Sequence, residues 1–171
     1  ETTGRLYFTA ANDVSGGPGG QALYRYDVDD APGNIGNIVA TLIGHINSGA
    51  SENMTYDPGT NRLYIIQYVG SSLNSDTNPD ELAYIDLAAL NPDPMLLTNI
   101  VVLGTVTGMG ASLGYGDGLD FDEFGNLYVV DGNDDDLYRI DVATGAILAI
   151  EDNNIPGGIS ASADVETIMW D

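Results

Sequence analysis

Three carboxylates stand at one recurring place in this chain. Glu52, Asp117 and Glu166 each lie two residues ahead of a run in which apolar, variable, aromatic and Asp positions follow one another: Met54-Thr55-Tyr56-Asp57, Leu119-Asp120-Phe121-Asp122 and Ile168-Met169-Trp170-Asp171. Carboxylates brought together without a lysine repel one another unless a cation sits among them, and hard oxygen donors of this kind suit calcium or magnesium. A second acidic group, Asp131-Gly132-Asn133-Asp134-Asp135-Asp136, places Asp131, Asn133 and Asp135 at the alternate positions that open an EF-hand-like calcium loop. The match then stops, because Asp136 stands where the loop needs glycine and Val142 where it needs a bidentate Glu. A shortened D-x-N-x-D loop and a solvated acidic turn both fit. Asp76, Asn78 and Asp80 alternate in the same way, but Pro79 stiffens that stretch.

Other chemistry is poorly supplied. Cysteine is absent, which excludes disulfides, thiolate catalysis and cysteine metal sites. His45 is the only histidine, and no activated serine with an orienting acid accompanies it. The run Gly16-Gly17-Pro18-Gly19-Gly20 lacks the lysine of a phosphate loop. No catalytic residue is assigned.

The elements that must position these groups are repeated. Each apolar-aromatic run leads through a short turn into a Leu-Tyr strand: Arg62-Leu63-Tyr64-Ile65, Leu127-Tyr128-Val129-Val130 and, from the chain's other end, Arg5-Leu6-Tyr7-Phe8. A third strand follows at Ala22 to Val28, Glu81 to Leu87 and Asp136 to Val142. A fourth apolar run follows at Ile38 to Ile43, Ile100 to Val106 and Ala146 to Ile150. Short apolar runs broken by Gly, Pro, Asn and Asp signal an all-β fold. Three units of about 57 residues fill the chain, a little beyond the usual propeller repeat. Leu127 and Val129 alternate with Tyr128 and Val130, so both faces of the strand are apolar, as in a sheet sandwiched between neighbours.

In these residues the chain resembles blades of the NHL-type and gluconolactonase-like β-propellers, and Gly118 to Asp131 follows their inner two strands closely. The resemblance implies an all-β propeller array with three four-stranded antiparallel blades. The first blade takes 1-49 plus 163-171, the second 50-109 and the third 110-162. The first is then completed by the C-terminal strand, its own or a neighbouring copy's. Inner strands surround a propeller's central channel, so Glu52, Asp117 and Glu166 are expected near one mouth. The gluconolactonase-like enzymes hold a divalent cation there, and Glu52, Asn53, Asp117 and Glu166 are the residues this chain offers.

The recurring aspartates have a structural reading. Asp57, Asp122 and Asp171 open the turn into the Leu-Tyr strand, where an Asp side chain can bond the backbone two residues on. Tyr56, Phe121 and Trp170 are expected in the core. The sequon Asn53-Met54-Thr55 lies within an inner strand, which argues against glycosylation there.

Charge defines the surroundings. With 4 Arg and Lys against 26 Asp and Glu, the formal net charge is −22. Such a surface repels nucleic acid and anionic lipid, and it favours screening salt or bound calcium. An extracellular, cell-surface or saline setting follows, and plain solubility explains the charge equally well. No apolar run is long enough to span a bilayer as a helix, and none resembles a signal segment. A chain beginning at Glu1 is expected of a mature product or a fragment.

Three function classes remain open. The first is a non-catalytic, extracellular, self-assembling module, because three blades are too few to close alone. Its partner is another copy, joined by residues 164-171 pairing with 5-9, as a two-chain ring or an open filament, unless the chain is one section of a longer array. The second is a metal-dependent gluconolactonase-like hydrolase. The third is a glycan-binding propeller, using tyrosines and loop amides, for which no motif speaks.

Overall fold

The computed structural model describes residues 4-11, 21-28, 40-46, 53-67, 79-109, 111-113, 116-131 and 136-152. Apart from one short 3-10 turn at Leu87–Ala89, the regular structure among them is strand. In chain order the strands are β1 (Gly4–Ala11), β2 (Gln21–Val28), β3 (Thr41–Ile46), β4 (Asn53–Asp57), β5 (Arg62–Gln67), β6 (Glu81–Asp86) and β7 (Leu97–Thr98). They continue as β8 (Val101–Thr105), β9 (Thr107–Gly108), β10 (Ala111–Ser112), β11 (Gly116–Phe121), β12 (Leu127–Asp131), β13 (Asp136–Ile140) and β14 (Ile147–Asp152).

The chain divides into two compact units, Glu1–Ser48 with Ala88–Ile100, and Gly49–Leu87 with Val101–Asp171. The second contains two four-stranded antiparallel sheets in the order in which the sequence units read, β4-β5-β6-β8 and β11-β12-β13-β14, with β9 and β10 as a small hairpin. Between them lies a core in which Tyr64, Ile66 and Leu82 of one sheet share a cluster with Leu119, Leu127, Val129 and Tyr138 of the other. Tyr64 meets Phe121 edge-on at 5.3 Å, the aromatic geometry that the ring quadrupole favours. Leu63, Ile65 and Ile85, on the other face of the β4–β8 sheet, are buried as well. The two-sided apolar pattern of these strands therefore reports real two-sided burial.

The turns before β5 and β12 share one backbone device. Asn61 and Gly125, each immediately before the Arg62 or Asn126 that leads into the Leu-Tyr pair, adopt φ of 56° and 82°. Only glycine, and asparagine at modest cost, enters that left-handed region readily. Asp57 and Asp122 close the same turns with their carboxylates. Gly59 N donates to Asp57 Oδ1 at 2.8 Å, and Phe124 N donates to Asp122 Oδ1 at 3.0 Å, in each case two residues on.

The first unit departs from the expected plan. Its sheet runs β1-β2-β3-β7, and β7 joins β3 in parallel rather than antiparallel fashion. The fourth strand of this sheet is thus drawn from Ala88–Ile100, which the repeat places in the second blade. The segment is pinned by a contact that no local pattern carries, His45 Nδ1 lying 2.6 Å from Pro94 O, and it is braced internally where Asn91 N donates to Thr98 Oγ1 at 3.0 Å. β3 itself begins at Thr41 and ends at Ile46, three residues beyond the apolar run Ile38 to Ile43. His45 consequently lies inside a strand, opposite Ala22 and fully buried. The C-terminal strand expected beside β1 falls outside the described residues.

Candidate functional site

β4 and β11 are the inner strands of the second unit's two sheets, and their side chains reach each other. Thr55 Oγ1 donates to Asp120 Oδ1 at 2.8 Å, and the same carboxylate oxygen accepts from Phe121 N at 2.9 Å. One step toward the strand beginnings, Asn53 Nδ2 donates to Gly116 O. The side-chain amide of the sequon is thus engaged within the fold.

Gly116 is the hub at this end. Its N–H donates to Asp80 Oδ2 at 3.2 Å, and Asp131 stands opposite it in the strand register. A side chain there would be crowded, because a Cβ would come to 3.0 Å of Ile66 Cγ2 and 3.1 Å of Leu113 Cδ2 and those side chains would have to give way. Asp80 is 2% exposed and Asp131 1%. A carboxylate buried that deeply must find hydrogen-bond donors or countercharge. Asp80 also ties two neighbouring segments by its backbone, donating to Leu113 O at 2.9 Å and accepting from Val106 N at 2.8 Å. Beside it, Gln67 Nε2 donates to Glu81 Oε2 at 2.8 Å across paired strands. This arrangement can hold backbone and carboxylates in fixed places. It sets no nucleophile against a base.

The six cation candidates are placed unevenly. Asp117 lies in β11 where the register shifts between Gly116 and Gly118, a bulge of one residue, and its side chain is outside the description. Asp131 closes β12. Glu52, Glu166, Asn133 and Asp135 lie outside the described residues. Among the described residues, no three His, Asp or Glu side chains converge in a way that could hold a metal ion. The structure therefore brings Asp131 and the Asp117 backbone to one end of β11, next to Gly116, and describes no ligand set. Asp80, the last of the alternating Asp76, Asn78 and Asp80, is buried and accepts from Gly116 N, and Asp76 and Asn78 lie outside the described residues. Its sequence signal was only its place just ahead of β6, and its partner Gly116 is 36 residues away.

Remaining polar groups take structural roles. Desolvation, the largest single influence, pushes the Asp122 carboxyl up, but hydrogen bonds from the Asn126 side chain and backbone, the Phe124 backbone and Tyr128 together outweigh it and hold the group below its ordinary value of 3.8. Asp141 Oδ1 accepts from Ala143 N at 2.7 Å, and Asp27 pairs with Arg5 and Arg25. Tyr56 is only half-buried, contrary to its expected core place, because its hydroxyl reaches out to Asn61 Oδ1 at 3.1 Å. Phe121 does pack against the core, and Trp170 lies outside the described residues.

No family model and no curated protein matches the chain. Among solved structures it is similar to an engineered GH43 glycoside hydrolase that displays both endo-xylanase and exo-arabinofuranosidase activity. The TM-score is 0.55 at 14% identity, covering 90% of this chain and 30% of that one. GH43 enzymes have a five-bladed β-propeller fold. The present fold is propeller-like. The likeness reaches no further than architecture, since propellers host unrelated activities.

Proposed function

We propose that this chain is a non-catalytic, self-assembling β-propeller module of an extracellular or cell-surface, saline setting, stabilised by calcium, whose first blade is completed by the strand Ile168 to Asp171 of its own or another copy. The carrying observation is the state of β1. Its repeat equivalents β5 and β12 each have an inner strand on one side and a third strand on the other, whereas β1 is the edge of its sheet among the described residues. Leu6 is 56% exposed, while its equivalents Leu63 and Leu127 are 1% and 0% exposed. An edge of this length with apolar side chains is a template for another strand.

The net charge of −22 supports a partner other than nucleic acid or anionic membrane. It also supports the calcium, for which Asp131, Asn133 and Asp135 and the set Glu52, Asp117 and Glu166 are the proposed ligands. Deleting residues 164-171 tests strand completion. The truncated chain should lose assembly or aggregate, because burial of Ile168 and Trp170 contributes roughly 3 to 6 kcal/mol. Unchanged assembly would overturn the reading.

A second reading, a carbohydrate-acting or carbohydrate-binding propeller, draws on the GH43 neighbour alone. Turnover of an arabinofuranoside or xylan by the purified chain, or of a lactone with added metal, would favour it.

A further inference from the structure

The two sheets of the second unit provide a template for how one blade of this chain covers the next. Leu127 and Val129 of β12 and Tyr138 and Ile140 of β13 are buried in the cluster that also holds Tyr64, Ile66 and Leu82. The face a blade turns toward its predecessor is therefore the Leu127/Tyr138 face, and the face that covers it is the Tyr64/Leu82 face. Both have repeat equivalents elsewhere in the sequence.

In the first unit the Leu127/Val129/Tyr138 positions are taken by Leu6, Phe8 and Tyr24. There Phe8 and Tyr24 stack at 5.3 Å with their rings 12° apart, Phe8 is 37% exposed and Leu6 more so. Among the described residues these form an apolar face without the cover its equivalents have. In the last unit the covering positions Tyr64, Ile66 and Leu82 are taken by Tyr128, Val130 and Leu137, identical at two positions and with one β-branched aliphatic residue for another at the third. Tyr128, Val130 and Leu137 alternate with residues buried in the cluster, so they lie on the opposite side of their sheet; Val130 is buried there, while Tyr128 and Leu137 are half-buried where Tyr64 and Leu82 are buried.

We propose that the Tyr128/Leu137 face of one copy docks on the Leu6/Phe8/Tyr24 face of a second copy, repeating between chains the blade contact already present within the chain. The occupant is a second copy because this chain itself carries the covering residues, with types matching those used internally. The contact is heterologous, joining two different faces, and it propagates until a ring closes or a filament grows. It rests on the assembly reading above and adds the face contact to the strand contact.

Complementary single-face variants test it by sedimentation velocity in one buffer of fixed salt and calcium. Leu6→Asp removes the receiving face and Leu137→Asp the covering face, with Tyr128→Asp as the second covering variant should Leu137→Asp melt early. Each variant alone should sediment as one chain while the parent assembles. An equimolar mixture of one receiving and one covering variant should give a species of two chains and nothing larger, because only one pair of intact faces remains. Normal assembly by either variant alone, a mixture that stays at one chain, or a parent that never assembles would overturn face docking. Loss of assembly on deleting 164-171 with normal assembly by Leu6→Asp would retain strand completion and remove face docking. The reverse pattern would do the opposite.

Discussion

Thr55 donates its hydroxyl to Asp120 at 2.8 Å, and the two residues hold the same position in successive repeat units. Equivalent points of neighbouring inner strands therefore meet directly, so the spacing that aligns the units in sequence also aligns β4 with β11 in space. The third unit position equivalent to these is Met169, which has no such polar group to offer. The seam between the two sheets of the second unit thus carries a polar bond at that level.

The first prediction concerns this bond. Thr55→Val should destabilise the chain by about 1.5 to 3 kcal/mol, the usual range for a hydrogen bond to a charged acceptor. Asp120→Asn should cost less, since an amide oxygen still accepts from Thr55 and from Phe121. A double-mutant cycle in urea should return a coupling of about 1 kcal/mol or more. Strict additivity would show that the two side chains do not depend on each other.

A second prediction follows from the depressed Asp122 carboxyl. A group whose folded value lies below its unfolded one adds stability that is present above the unfolded value and disappears as pH falls through the folded one. At neutral pH, Asp122→Ala should melt below the parent, because Phe124 N, Asn126 N and Asn126 Nδ2 lose their acceptor. The gap should narrow as pH drops below the ordinary value of 3.8. Thermal melts across that range check it, and a gap that stays constant would place the effect in packing rather than in charge.

The third prediction concerns cations. With 26 acidic against 4 basic residues, excess chelator should lower the melting temperature of the calcium-loaded chain, and restored calcium should raise it in proportion to the binding it regains. Sodium chloride at matched ionic strength separates screening from binding. If salt alone restores the melting point, the acidic groups are solvated and only screened. If calcium restores it where salt does not, Asp131→Asn and Glu52→Gln, each titrated with calcium, say which of the two acidic groups is concerned.

Much of the strand plan was legible in residue order alone. The Leu-Tyr pairs, the turn aspartates and the positive-φ residues Asn61 and Gly125 act over a few neighbouring residues, where alternation and turn stereochemistry decide the outcome. This is why β5, β12 and β13 fall on the runs that announced them. The covering of Leu127 and the exposure of Leu6 were not legible, for both sit in the same local pattern and differ only in what packs against them. The same holds for Asp80, whose role depends on Gly116 far along the chain, and for Ala88–Ile100, which joins the first unit through His45 and Pro94. Such contacts bring together groups remote in sequence, and closing the intervening loops is favoured only by the burial and hydrogen bonding of the complete fold. Sequence by itself determined the Leu-Tyr strands and the turns that lead into them, because those depend on neighbouring residues; tertiary packing decided where β3 ends, that β7 joins it, which faces are covered and which carboxylates become struts.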